Sequence, residues 1–120
     1  MARSTFEEFR DEIARRSVNG PEGWALVAGF DERGYVLMLQ QAKNEREPMV
    51  RVGCRYFTLK QARAHYVSRG RNCNRSMRRT AAQMLMLIGL AVQSAKTKGL
   101  IARSYKFNTT PRKASNARTR

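Results

Sequence analysis

The sequence predicts a single α+β domain followed by a basic tail, and three observations support this prediction. A capped segment with apolar residues at helical spacing opens the chain, alternating apolar and polar residues occupy its middle, and two further capped helical segments follow. A chain of 120 residues has the size of one ordinary domain. We place the domain at residues 1–102 and a basic, largely disordered C-terminal tail at residues 103–120.

The first helix is predicted over residues 5–17. Either Ser4 with Glu7 or Thr5 with Glu8 can close a capping box, because each side chain then accepts a hydrogen bond from the other residue's backbone N–H group. Phe9 and Ile13 recur at helical spacing, and acidic residues lie toward the start and basic residues toward the end, as the helix dipole favours. An Asn-Gly-Pro sequence then ends the helix.

Three antiparallel strands are predicted next. The alternation of apolar and polar residues that marks a sheet with one buried face occurs over residues 24–30, 35–40 and 49–57, and a Gly-ended turn joins the first two strands. In the first strand the expected core face carries Trp24, Leu26, Ala28 and Phe30. In the third strand the expected core face carries Val50, Val52, Cys54 and Tyr56. The opposite face of that strand is expected to turn away from the core and carries Arg51, Arg55 and Phe57.

A short helix and a long helix complete the predicted domain. Thr58 and Gln61 form a second capping box, and the short helix is expected to end before Gly70. Its narrow apolar stripe consists of Leu59, Ala62 and Tyr66. Ser76 is expected to cap the long helix, which runs to about Lys98 and stops at Gly99 in a left-handed conformation, with Leu100 or Ile101 folding back on it.

The long helix is apolar nearly all round between Met84 and Val92. This pattern is typical of a helix buried at the centre of a domain. A second interpretation is a homodimer seam along the same segment, because a three-stranded sheet is small for covering every side of such a helix.

The charge of the chain is divided at Pro48. All nine Asp and Glu lie before it with seven of the 24 Lys and Arg, and the other 17 basic residues follow it. Such a long stretch of one sign indicates a polyanionic partner, because its cations have no acidic neighbours in sequence.

The predicted binding residues are the cations of this acid-free stretch. Residues 69–79 contain five Arg and lead into the start of the long helix, where free backbone N–H groups also favour a phosphate. Phe57 and Tyr105 are the candidates for stacking on bases. The predicted nucleic-acid contacts are Arg51, Arg55, Arg69, Arg71, Arg75, Arg78, Arg79, Lys106, Arg112 and Lys113.

No catalytic, metal-binding or cofactor motif stands out. The acid-free stretch lacks the clustered carboxylates of a two-metal nuclease, and the glycine-rich phosphate and dinucleotide loops are absent. Cys54 and Cys73 lack the close spacing of zinc ligands and are expected to be reduced thiols. Nothing in the spacing supports a nucleophilic pair of either cysteine with His65, the only histidine. We therefore expect a protein that is not an enzyme and that uses no metal or cofactor.

Two resemblances bear on the fold. The order of helix, three strands and helix, with the basic, Ala-rich sequence of residues 76–82, is similar to that of double-stranded-RNA-binding domains. A short extra helix after the third strand, Met77-Arg78 in place of a Lys-Lys pair and unaligned loop glycines depart from that family. The two C-terminal helices resemble a helix-turn-helix, but their connection of about eight residues is longer than the usual turn. Neither resemblance assigns a family.

The sequence therefore favours a small non-enzymatic protein that binds the phosphate backbone of DNA or RNA. Two alternatives stay open: a phage- or plasmid-type inhibitor or adaptor that binds an acidic host protein, and a structural component of a nucleoprotein assembly or virion. The N-terminus has no apolar signal region, and the longest apolar run is nine residues where a membrane span needs about 20. We expect no membrane association and a cytoplasmic location, or a nucleoplasmic one, or the host cytoplasm for a viral protein.

Overall fold

The computed structural model describes residues 5–71 and 75–110, apart from the side chain of Phe6. Within these residues it has three helices and a five-stranded antiparallel sheet, which confirms the α+β class. In chain order the elements are α1 (Thr5–Arg15), β1 (Val18–Gly20), β2 (Gly23–Phe30), β3 (Val36–Ala42), β4 (Met49–Val52), β5 (Arg55–Thr58), α2 (Leu59–Arg71) and α3 (Arg75–Thr97). The predictions for Cys73, Arg112, Lys113 and the end of the tail lie outside the described residues.

The sheet is a meander in which each strand pairs with the next one along the chain. Leu26 of β2 lies opposite Leu39 of β3, and Leu39 lies opposite Val50 of β4. All three side chains are at most 1% exposed, so this face of the sheet forms one wall of the core. Side chains on the opposite face, such as Val27 and Met38, are only half-buried.

Helix α3 is the centre of the core. It packs against α1, α2 and β2, and Leu85 and Ile88 are essentially inaccessible to solvent. Burying a side chain of this size stabilises the fold by about 1.5–3 kcal/mol. The expectation of a buried long helix is confirmed, and between Met84 and Val92 only Met86 is exposed and only Leu87 is half-buried. The apolar surface of this segment is therefore used mainly within one chain.

The prediction of a single third strand over residues 49–57 is wrong, because the chain reverses at Gly53 and Cys54. Val52 of β4 pairs with Arg55 of β5, leaving a two-residue loop between them. Gly53 has a φ of 60°, in the left-handed region that favours glycine, and a Cβ there would lie 3.2 Å from Cγ of Tyr35. The regular alternation of the sequence concealed this reversal.

The reversal exchanges the two faces of the second half of the predicted strand. Phe57 lies opposite Val50 and packs against the core, although it was expected to face away from it. Cys54 and Tyr56, expected in the core, are exposed. Consequently Arg51 and Arg55 lie on opposite faces of the sheet and do not share the basic face that was predicted.

Two further differences arise in the first half of the chain. Strand β1 was not predicted, since its three exposed residues carry no alternation, and α1 ends at Arg15 to make room for it. A register shift between Val27 and Gly29 places Phe30 opposite Val36, where Phe30 is 55% exposed and not in the core. In α1, Ile13 is buried as expected but Phe9 is exposed.

Helix α2 begins as predicted and runs slightly further. The Gln61 N–H donates to Oγ1 of Thr58 at 3.1 Å, and the Thr58 N–H donates to Oε1 of Gln61 at 2.9 Å, which completes the capping box. The helix continues through Gly70 to Arg71. At Gly70 a Cβ would lie 3.4 Å from the Cβ of Ala81, so the two helices approach closely here.

Helix α3 has the predicted end. Gly99 has a φ of 77°, its N–H donates to the Lys96 carbonyl at 3.0 Å, and the Leu100 N–H donates to the Ala95 carbonyl at 2.8 Å. This pair of hydrogen bonds is a Schellman motif. Ile101 then folds back into the core with 8% exposure. At its other end the helix begins at Arg75, one residue before the expected cap at Ser76.

The packed chain extends past the predicted domain boundary at residue 102. We call residues 103–110 the C-terminal strap. Tyr105 and Phe107 of the strap pack against the core, and a Cβ on Gly89 of α3 would collide with the side chain of Thr109. An Arg63 guanidinium nitrogen also donates to the Thr110 carbonyl at 3.1 Å, so the strap lies against both α2 and α3. Across the described residues, every helix is too short or too polar to cross a bilayer.

Candidate functional site

A groove of about 590 Å³ lies between α2 and the C-terminal strap. We call it the α2 groove. Its apolar lining comes from Leu59 and Val67 of the helix and from Tyr105 and Phe107 of the strap. Its charged lining is entirely basic and consists of Lys60, Arg63, Arg71 and Lys106.

Helical periodicity places the basic residues of α2 along one wall of this groove. Lys60, Arg63, Val67 and Arg71 follow one another at intervals of three, four and four residues, the spacing that keeps side chains on one helix face. Leu59 and Ala62 point into the core and hold the helix against the domain. Lys60 and Arg71 are exposed, whereas Arg63 is half-buried and engages the strap.

The strap forms the other wall. Tyr105 and Phe107 are half-buried while the intervening Lys106 is exposed, as expected for an extended segment that packs one side against the domain. Burial raises the pKa of the Tyr105 phenol, and the charge of Glu47 raises it further, so the phenol is neutral at physiological pH. The strap therefore presents an uncharged aromatic ring and a cation to the same groove.

The start of α3 continues the positive charge. Arg75, Arg78 and Arg79 are exposed, and none of them forms an ion pair within the part of the chain that the structure describes. Arg71 of the groove and Arg75 are four residues apart, so the chain can separate their Cα atoms by at most about 14 Å. We call the combined surface, Lys60, Arg63, Arg71, Arg75, Arg78, Arg79 and Lys106, the α2–α3 basic surface.

The electrostatics at the start of α3 oppose the usual preference of a helix. Its first turn has no acidic residue, although the helix dipole favours anions there and disfavours cations such as Arg75 and Arg78. Helix α1 shows the ordinary arrangement, with Glu7 and Glu8 in the first turn and Arg15 in the last. The first turn of α3 thus carries positive charge and no acidic residue of its own, and an anion would be attracted there.

Three of the predicted contact residues and one stacking candidate lie outside this surface. Arg51 lies on the sheet face that points away from the core, 5.2 Å above the ring centroid of Tyr56. Arg69 forms an ion pair with Glu32 at 3.6 Å, which partly neutralises it. Arg55 and Phe57 both contact His65 on another side of α2. The fold therefore does not bring Arg51, Arg55 and Phe57 together with the α2–α3 basic surface.

His65 is the centre of a second cluster. Its ring stacks on Phe57 with the centroids 5.1 Å apart, and its Nε2 accepts a hydrogen bond from an Arg55 guanidinium nitrogen at 2.7 Å. Burial lowers the pKa of His65, and the positive charges of Arg55 and Arg69 lower it further, which keeps the imidazole neutral. Cys54 and His65 line one cavity. Because the Nε2 lone pair of His65 faces Arg55, that nitrogen is not positioned to activate the Cys54 thiol.

Metal ligation receives no support from residues 5–71 and 75–110, where no three His, Cys, Asp or Glu side chains come together. A comparison with protein-family models finds no match, and comparisons with curated proteins and with solved structures find none either. The geometry and charge of the α2 groove and its surroundings are consequently the basis for any functional proposal.

Sequence reasoning found part of this surface. Arg71, Arg75, Arg78, Arg79, Lys106 and Tyr105 were predicted and lie in it or along it. Lys60 and Arg63 were missed. Arg63 follows Lys60 by three residues and Arg71 follows it by eleven, a helical spacing that could have identified both. The groove itself could not be predicted, since nothing local in the strap sequence indicates that it folds back beside α2.

Proposed function

We propose that the protein binds nucleic acid without catalysis, by contacting phosphates with the α2–α3 basic surface. The observation that carries the proposal is that seven Lys and Arg side chains from α2, α3 and the strap lie on adjoining segments, and no carboxylate lines the groove among them. Isolated cations on a protein surface are usually balanced by acidic neighbours, whereas phosphates neutralise a cation surface of this kind and release their counterions.

The proposal makes a quantitative statement about salt. Each phosphate contact contributes about −0.9 to the slope of log affinity against log salt concentration for a duplex and about −0.7 for a single strand, so a ligand that engages all seven cations has a slope of about −5 to −6. Arg75, Arg78 and Arg79 also lie in the first two turns of α3, where the helix dipole attracts an anion. This arrangement serves binding to the backbone and carries no base-specific contact.

The test is a fluorescence-anisotropy titration of labelled DNA and RNA at several salt concentrations. We expect the triple substitution of Arg75, Arg78 and Arg79 by Ala to weaken binding to all sequences and to make the slope less steep by about 3. The matched control replaces Arg15, Arg16 and Arg33 by Ala, which removes the same charge from exposed positions outside the α2–α3 basic surface. Equal effects of the two triple substitutions would show that only net charge matters and would refute the surface.

An acidic protein is the competing partner for the same cations. Purification from a cellular extract with and without nuclease distinguishes the two. A nucleic-acid absorbance that nuclease treatment removes supports our proposal. A stoichiometric acidic protein that stays bound after nuclease treatment, together with no anisotropy change on adding DNA or RNA at low salt, would contradict it.

A further inference from the structure

We propose that the α2 groove takes a single strand of nucleic acid and excludes a duplex, so that single-stranded DNA or RNA is the preferred ligand. This inference rests on the proposed function and assigns to the groove a role distinct from that of the α3 start. The three arginines at the α3 start are exposed and accessible to any backbone, whereas the groove is enclosed between a helix and the strap.

The size of the groove carries the first step. A volume of about 590 Å³ is that of a small-molecule pocket, and it suits a short stretch of nucleotides. A duplex does not fit into a groove of this volume, because even its major groove, which is only one part of the double helix, is about 12 Å wide. The backbone of a duplex can therefore lie on the rim at Lys60 and Arg71, but its bases cannot reach the floor.

The chemistry of the lining carries the second step. Lys60 on the helix and Lys106 on the strap place one cation on each side of the groove, suited to the phosphates of a strand that runs between them. Tyr105 and Phe107, which are half-buried, add aromatic surface. A groove that combines cations with aromatic rings has what a single strand needs, because its unpaired bases stack while its phosphates are neutralised.

The anchoring of the strap carries the third step. Thr109 packs directly on Gly89, where a larger residue of α3 would push the strap away, and the Thr110 carbonyl accepts a hydrogen bond from Arg63. These contacts pack the strap against α3 and tie its end to α2, so the position of the strap beside α2 is fixed. The aromatic wall is thus positioned before a ligand arrives, which lowers the entropic cost of binding.

The experiment compares a labelled single strand of DNA, the same sequence in RNA and a blunt duplex of equal length. We expect the double substitution Lys60→Ala and Lys106→Ala to weaken single-strand binding on the order of tenfold and duplex binding by less than about threefold. The triple substitution of Arg75, Arg78 and Arg79 by Ala should weaken binding of both forms. Both lysines are exposed, so their removal should leave the fold intact, which a thermal melt checks.

A second variant tests the stacking wall. Tyr105→Leu keeps an apolar side chain against the core and removes the aromatic ring, and we expect single-strand affinity to fall about fivefold or more with duplex affinity unchanged. Tyr35→Leu is the matched control, because Tyr35 is a partly exposed tyrosine outside the groove and should leave both affinities unchanged.

The outcomes separate the two proposals. If neither single strands nor duplexes bind at low salt, the proposed function fails. If both bind but the single strand has no advantage, or if the Lys60 and Lys106 substitutions weaken both forms equally, the function stands and the single-strand role of the groove is refuted. Should Tyr105→Leu fail to fold, the two lysine substitutions still decide the question.

Discussion

Burial and the charges of two nearby guanidinium groups lower the pKa of His65 and make its protonation unfavourable. Arg55 donates to its Nε2, the charge of Arg69 also disfavours the imidazolium, and Glu32 opposes them only in part. Phe57 covers one face of the ring. The neutral imidazole thus serves as a hydrogen-bond acceptor that links β5 to α2, and a proton would break that link.

We therefore predict that the protein loses stability as the pH falls below about 6.5, the pKa of an unperturbed histidine. The pKa of His65 is lower in the folded protein than in the unfolded chain, so the unfolded chain takes up the proton first. The stabilising contribution is fully present above about pH 6.5 and is lost as the pH falls through the lower folded value. Chemical denaturation between pH 8 and pH 5 measures this loss.

The control for this prediction is His65→Gln, which can still accept a hydrogen bond from Arg55 through its amide oxygen but does not titrate. Its stability should change less than that of the parent protein over the same range, and since His65 is the only histidine no other imidazole contributes. Parallel pH curves for the two proteins would refute the assignment.

At the same scale, local chemistry decided which residues were predicted correctly. Thr58 and Gln61 are three residues apart and satisfy each other's N–H groups, so the sequence alone predicts their contact. The faces of Arg51 and Arg55 depend instead on whether Gly53 turns or extends, and glycine permits both. The contact of Tyr35 with Gly53, which comes from a distant part of the chain, is consistent with the turn and is not readable from the local pattern.

Among the elements, the helices were predicted well and the sheet only in part. A helix is recognised in a sequence by apolar residues with a period of 3.6 and by capping residues at its ends, and α2 and α3 have both signals. Strand β1 has only three residues, all exposed, which is too few for an alternation to stand out, and the alternation of β5 continues that of β4 so that the turn between them was concealed. The groove depends on the strap, whose Tyr105 and Phe107 are sparse apolar residues in an otherwise polar segment.

Helix α3 provides a prediction at this scale, because the cations of its first turn oppose the helix dipole. Replacing Arg75, Arg78 and Arg79 by Ala should raise the free energy of unfolding by about 1 kcal/mol, since a cation near a helix N-terminus costs about 0.3–1 kcal/mol and Ala is a good helix former. The same variant is expected to bind nucleic acid less tightly. Urea denaturation measures the change in stability.

Arg15→Ala is the control, because Arg15 lies in the last turn of α1, where the dipole favours a cation, and pairs with Glu12. We expect that substitution to be neutral or to lower stability by about 0.5 kcal/mol. A gain of stability at α3 coupled to a loss of binding would mean that the helix start is built for a ligand at the expense of the fold. A loss of stability in the α3 variant would contradict this account.

In the whole molecule, the division of charge along the chain falls inside the fold. The boundary at Pro48 falls between β3 and β4, inside the sheet, so the acid-free part supplies β4, β5, α2, α3 and the strap. Within the described residues the one ion pair that joins the two parts is that of Arg69 with Glu32. The homodimer along Met84–Val92 stays a prediction. Met86 is the exposed residue of that segment, and a second chain would contact it.

This distribution of charge predicts opposite effects of salt on stability and on binding. A net charge of +15 on 120 residues destabilises the compact state through repulsion among cations that lack acidic partners. Raising the ionic strength from about 0.01 M to 0.1 M shortens the Debye length from about 30 Å to about 10 Å, which screens that repulsion. The midpoint of thermal unfolding should therefore rise with sodium chloride while nucleic-acid affinity falls.

Sucrose at matched osmolality is the control, since it stabilises by exclusion and leaves the affinity nearly unchanged. An unfolding midpoint that falls with salt would mean that attractive ion pairs, such as those of Glu12 with Arg15 and Arg16, outweigh the repulsion across the α2–α3 basic surface.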